Sequence, residues 1–217
     1  MKGKKWIILL AVVGLLAALA VWQWSNIQAV YLYLTMDREN IAQQMEDTRQ
    51  NHQQALEQDH AITVKPPSLE QSNDLLDGKV SAEEVKESLG IVQTAPTPQP
   101  KKKTAEELKN ECVAELYALK VDVMAKLGTM KQELLDTWVA LPAEQRTQKK
   151  KLDLGYAALE DCYDYEVEVN KQVRAVLEKY RPLLKEIGAD TGILETLWKQ
   201  YCEEKASEKA YYLDKYL

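Results

Sequence analysis

Three groups of residues in this sequence have types and spacings that could do chemistry. Glu160, Asp164 and Glu168 fall at i, i+4 and i+8, with Asp161 beside them, so a helix would set their carboxylates along one face. Like charges at that spacing repel mildly unless something cationic answers them. A divalent metal ion, a basic partner, or Lys120 and Lys126 on a facing helix would each serve, and a plainly solvated face needs none of them. Cys112, Cys162 and Cys202 form the second group, open to disulfide formation in an oxidising compartment. His52 and His60, eight positions apart, could share a helix face as a metal pair, but no third ligand stands near them.

The stretch Asn73-Asp74-Leu75-Leu76-Asp77-Gly78 with Glu84 has its Gly and Glu at the offsets of a calcium-binding EF-hand loop. Leu75, however, occupies a loop position that requires an oxygen ligand. A Gly-terminated helix followed by the capping box Ser81-x-x-Glu84 explains the same residues without calcium. The nucleotide-binding glycine loops, G-x-S-x-G, H-E-x-x-H and C-x-x-C are all absent. A net charge of -6 lacks the basic footprint of a nucleic-acid binder. These observations point away from an enzyme, a cofactor or a resident metal. Eight Gly, seven Pro and no Phe also argue against a β-sandwich or barrel.

The elements that position these residues begin with an apolar block. No charge occurs between Trp6 and Met36, and residues 6–24 as a helix would span about 28 Å, close to the hydrocarbon core of a bilayer. Trp6 at one end and Trp22 and Trp24 at the other sit where interfacial aromatics lie. Lys2, Lys4 and Lys5 precede the block, so the positive-inside rule places residues 1–5 in the cytoplasm and the rest outside. The rival reading is a signal peptide cleaved at Ala20, which would release the protein. Gly14 and Ala18 form a small-xxx-small pair that could bring two such helices together.

Residues 25–60 read as a helical stalk whose apolar face fades after Met45, leaving a solvated spacer of net charge -4. Pro66-Pro67 ends it, residues 61–90 carry a linker and two short helices, and the Pro- and Lys-rich segment 91–103 is an extended linker. Residues 104–217 form the main domain. Behind the capping box Thr104-x-x-Glu107, apolar residues from Leu108 to Leu141 recur with gaps of 4-4-3, an eleven-residue period that keeps a helical seam nearly straight. A helix of that length needs a partner, and Pro142 is placed to start one. Leu152, Tyr156, Leu159, Tyr163, Val167, Val173, Leu177, Tyr180, Leu184 and Ile187 mark its expected buried side, with a kink at Pro182. A shorter third helix carries Ile193, Leu194, Leu197, Trp198 and Tyr201. The expected fold is therefore all-α: a transmembrane helix and helical stalk, then an elongated antiparallel hairpin with a third helix packed along it. The C-terminal tyrosines Tyr211, Tyr212 and Tyr216 either pack back near Leu108 or present a contact patch.

That geometry bears on the cysteines. With the turn at Pro142, Cys112 lies level with about position 172, ~15 Å along the axis from Cys162, whereas a disulfide needs Cα atoms within about 7 Å. Cys202 comes within about one turn of Cys112 after the second reversal. If a disulfide forms, it joins Cys112 to Cys202; otherwise all three are small buried side chains.

The Lys-flanked anchor, Leu75-Leu76-Asp77-Gly78-Lys79-Val80-Ser81-Ala82-Glu83-Glu84, the turn Ala140-Leu141-Pro142-Ala143-Glu144-Gln145-Arg146 and the tail Lys209-Ala210-Tyr211-Tyr212-Leu213 occur together. The combination resembles single-pass, extracytoplasmic helical proteins of Gram-positive bacteria to which no activity is assigned. Residues 77–90 also resemble a short helical oligomerisation motif found appended to bacterial proteins. The resemblance implies a single-pass anchor and transfers no functional residue; the expected role, read from the anchor, stalk and hairpin, is a non-enzymatic, membrane-anchored envelope protein that contacts a protein partner or itself. An extracytoplasmic sensor or ligand-binding bundle working through a partner membrane protein is the alternative.

Overall fold

The computed structural model describes residues 24–91 and 103–216, and every regular element among them is helical. The expected anchor, with Trp6 and Trp22, and most of the 91–103 linker lie outside the described residues. Trp24 opens the first described helix, and no described helix is long and apolar enough to cross a membrane. In order the helices are α1 (Trp24–Thr35), α2 (Arg38–His60), α3 (Leu69–Leu76), α4 (Ala82–Ser88), α5 (Ala105–Ala140), a 3-10 turn (Ala143–Gln145), α6 (Gln148–Glu186) and α7 (Gly192–Tyr216). Two compact units result. One comprises Ala55–Trp198, and the other joins the residues up to Gln54 with those from Lys199 onward.

Local sequence sets the ends of the helices in the Ala55–Trp198 unit. Ser68, Ser81 and Thr104 each accept a hydrogen bond from the third helical amide, and the side chains of Gln71, Glu84 and Glu107 accept one from the cap amide in return. The Ser81 amide also holds the Glu84 carboxyl below its ordinary pKa, so this glutamate serves as a cap. Gly78, Gly90 and Gly188 stop α3, α4 and α6 at φ of 68°, 68° and 69°, and the amides beyond them reach back to Asp74, Lys86 and Leu184. Ala61 ends α2 in the same manner at φ 55°, a conformation costly for a residue with a Cβ. Asn110 clamps this corner: its side-chain oxygen accepts from the Thr63 amide and its side-chain nitrogen donates to the Ala61 carbonyl.

α5 is the centre of this unit. It packs on α6 along one side and on α3 and α4 along another. Val121, Met124 and Gly128 are buried, and Gly128 lies directly against the end of α3. A Cβ at that position would stand 2.6 Å from the Leu75 carbonyl oxygen, so only glycine lets the two backbones meet this closely. Lys131 pairs with Asp77 at 2.6 Å, and Lys86 of α4 pairs with Asp122. The short helix pair therefore belongs to the body of this unit, whereas the sequence suggested a separate linker region.

The α5–α6 hairpin departs from expectation in two ways. Its connection runs from Leu141 to Thr147: Pro142 precedes a 3-10 turn, Arg146 donates to the Val139 and Leu141 carbonyls, and Thr147 caps α6. Consistent with that longer turn, Glu115 meets Lys179 at 2.6 Å and Tyr180 at 3.0 Å, not the residues near 169 that a turn at Pro142 would set beside it. Second, of the expected seam only Leu108 and Cys112 on α5 and Val173, Leu177, Tyr180 and Leu184 on α6 are buried, joined by Val113 and Val169 beside it, while the seam positions of α5 from Leu116 to Leu141 are half-buried. Pro182 lies inside α6, which continues to Glu186. The expected third helix begins with buried Ile193, Leu194 and Leu197, and Arg174 lies 4.0 Å over the Trp198 ring.

The other unit corrects the solvated-spacer reading of α2. Ile41, Met45 and Arg49 are buried at intervals of four, in a core shared with Ala29, Leu32, Ala206, Ala210 and Tyr211. The guanidinium of Arg49 donates to Glu208 at 3.0 Å, and the ring nitrogens of His52 lie 3.0 Å from Glu203 and 3.2 Å from Glu204. Acidic residues of α7 thus neutralise the polar side chains that made α2 look like an exposed rod. α7 itself is 25 residues long, and Tyr211 packs in this unit's core.

Candidate interaction surface

Several residue groups whose spacing suggested chemistry prove to have other roles. Glu160, Asp164 and Glu168 are all exposed on α6, and Glu168 is 3.7 Å from Lys171 and accepts from Gln172. No group of His, Cys, Asp and Glu among the described residues is arranged to hold a metal ion. Cys112 is buried in the α5–α6 seam, which pushes its thiol pKa up to about 12, with Glu115 adding to the rise. Cys162 is exposed, Cys202 is half-buried, and no disulfide forms among the described residues. Asp74 and Asp77, from the calcium-like stretch, are held by Lys79 and Lys131.

Arg49 is the most deeply buried charge among the described residues, at 4% exposure, and its Nε and Nη1 atoms find no hydrogen-bond partner. Burial lowers its pKa, but Glu208, Glu204 and Glu46 outweigh that effect and raise it. That acidic setting repels an anion, so the cluster is an internal counter-charge. A shallow depression lined by Glu57, Ala61, Ile62, Thr63 and Glu106 is open to solvent. Neither place encloses a small molecule.

What the fold leaves outside is more informative. At the closed end of the hairpin, Leu135 and Val139 of α5 and Leu152, Tyr156, Leu159 and Tyr163 of α6 are exposed, Tyr156 by 70%. Four of these six belong to the face that sequence reasoning assigned to the core. Their 4-3-4 spacing is the seam of a helix that expects a partner helix. Past Tyr163 the pattern breaks: the next buried residue is Val169, six positions on, and the stripe continues around a different part of the helix. α5 therefore covers the later stripe, while the earlier one stays exposed. Large apolar side chains clustered on a surface mark contact sites far more often than scattered ones do.

The setting of this stripe is polar and asymmetric in charge. Before it, residues 146–151 carry Arg146, Lys149, Lys150 and Lys151 with no acid; after it, residues 160–168 carry five carboxylates and no base. The first turn of α6 lacks any acidic residue, so its lysines oppose the helix dipole. The Leu-Tyr stripe, bounded by these two blocks, is the part of the molecule best suited to recognition. Compared with known proteins, the chain matches no family model, no curated protein and no solved structure.

Proposed function

We propose that this protein is a non-enzymatic, membrane-anchored component of the cell envelope whose extracytoplasmic helical hairpin makes protein–protein contacts. The observation that carries the contact role is the uncovered stripe of Leu152, Tyr156, Leu159 and Tyr163 at the closed end of the hairpin. The location rests on the sequence alone, on the Lys-flanked apolar block 6–24 with its terminal tryptophans. On this reading the anchor holds the chain at the bilayer and the hairpin end docks a partner of complementary apolar surface.

Site-specific photo-crosslinking tests the contact role. A photoreactive residue replaces Tyr156 in one full-length variant and Lys171, on a charged and well-exposed part of α6, in a second. Adducts to protein from position 156 in intact cells, and few from position 171, are the expected result. Equal yields at both positions, or none at 156, would contradict it.

A further inference from the structure

We infer that the hairpin end pairs with a second copy of this chain, α6 against α6 in antiparallel register. The inference rests on the contact reading above and names the partner at that same surface. Its basis is the charge order along α6. An antiparallel copy that seats Tyr156 on the second copy's Leu159, and Leu152 on its Tyr163, fills the 4-3-4 stripe with itself. The same register brings the basic stretch 146–151 level with residues 164–169 of the other copy, twice by symmetry, and of these charges Lys149 and Glu166 lie nearest the seam. It sets Lys149 opposite Glu166 in the line of the seam. Lys149, which opposes the helix dipole in the first turn of α6, thereby gains a second counter-charge beside its own Asp153. A parallel copy would instead stack basic on basic and acidic on acidic.

One like-charge approach arises, Asp153 beside the second copy's Glu160. Lys149, at 2.8 Å from Asp153, already neutralises the first of these. On the other flank of the seam Gly155 faces the second copy's Cys162. Both are small, and nothing lies within 4 Å of a Cβ built on Gly155, so that flank admits close approach.

This pairing gives a direct test with Gly155→Cys in the full-length chain, in native membranes, under mild oxidation. Residues 155 and 162 of one helix are about 10 Å apart along the axis, beyond the ~7 Å that a disulfide bridges. A linkage between the thiol introduced at position 155 and Cys162 must therefore join two copies. The two native Cys162 thiols would be offset by ~13 Å along the seam, so the 155–162 linkage should exceed 162–162 by about tenfold or more. Lys149→Glu should lower the linkage severalfold, and mixing that chain with one carrying Glu166→Lys should restore it.

Predominant 155–155 and 162–162 linkages would overturn the antiparallel register. Linkage indifferent to charge reversal would overturn the role of the two blocks in setting it. No linkage, with the chain sedimenting as a monomer in detergent, would overturn self-pairing altogether. In that last case, capture of a different protein by the photoreactive residue at 156 would leave the broader contact reading standing. No capture would remove both.

Discussion

Replacing Gly128 with alanine probes the junction on which the larger unit is built. In an open helix this change is favourable by about 0.5–1 kcal/mol, because glycine loses more backbone freedom on folding. At Gly128 the new methyl would stand 2.6 Å from the Leu75 carbonyl oxygen, 3.1 Å from that of Leu76 and 3.2 Å from the Leu76 Cα. All three are backbone atoms of α3, so no side chain can swing aside, and α3 must retreat by roughly half an ångström or more to reach ordinary contact. Overpacking of this kind costs about 1–3 kcal/mol, and a rigid backbone neighbour puts the cost toward the upper end. Gly155, on α6, is the internal control in dilute, monomeric protein, since nothing in its own chain approaches its position within 4 Å. Gly155→Ala should therefore stabilise, and Gly128→Ala should fall below it by about 2–3 kcal/mol, the helix-propensity gain cancelling between the two. Urea unfolding followed by circular dichroism, with unchanged slopes, would measure the difference as a shift in midpoint. If both variants stabilise equally, α3 does not rest on α5 at Gly128, and the helix pair is not part of this unit's core.

Other consequences are open to measurement. Ala61 holds a left-handed conformation at the end of α2, so Ala61→Gly should raise stability by about 0.5–1 kcal/mol, read from the same unfolding curves. Burial works against the charged form of His52, but hydrogen bonds and charge from Glu204 and Glu203 outweigh it and raise its folded pKa above the ordinary 6.5; Lys199, paired with Glu203, and Arg49 face the same cluster. The His52 contribution to stability is then fully present below about pH 6.5 and is lost as pH rises through the raised folded value, with a slope no steeper than about 1.4 kcal/mol per pH unit. His52→Asn should flatten stability across that window, and an unchanged pH profile would contradict the assignment. Maleimide should modify exposed Cys162 in the native protein far faster than Cys112, whose thiol is buried with its pKa at about 12; comparable rates by peptide mass spectrometry would show that the seam opens there.

Local rules read from the sequence carried well into the structure. The capping boxes at Ser81 and Thr104 and the stop at Gly90 depend on residues three or four apart, and they lie where their spacing suggested. What failed was partnership. Of the 4-4-3 seam of α5 only Leu108 and Cys112 are buried; the positions from Leu116 to Leu141 are half-buried, the buried Val113, Val121 and Met124 lie off the seam because α3 and α4 pack there as well, and Gly128 carries no apolar signal although it marks a backbone-to-backbone approach in the unit. α2 looked like a solvated rod because Arg49 and His52 count as polar, while the acids that satisfy them sit more than 150 residues away. The uncovered stripe was legible in part. The six-residue step between Tyr163 and Val169 breaks the helical period, and treating Val167 as a bridge across it merged two faces into one. The hairpin register shifted because Arg146 and Thr147 prolong the turn past Pro142, through bonds that no spacing rule announces.

The most direct measurement is labelling of intact cells with a membrane-impermeant maleimide at two engineered positions of α6, in chains with Cys162 replaced by serine. Lys171→Cys reports on the side of the membrane, and Leu159→Cys reports on whether the stripe is covered. Rapid labelling at 171, with 159 shielded until the cells are dissolved in denaturing detergent, is the expected result. Equal labelling at both would show a stripe that nothing covers, and labelling of neither until lysis would place the hairpin on the other side of the membrane.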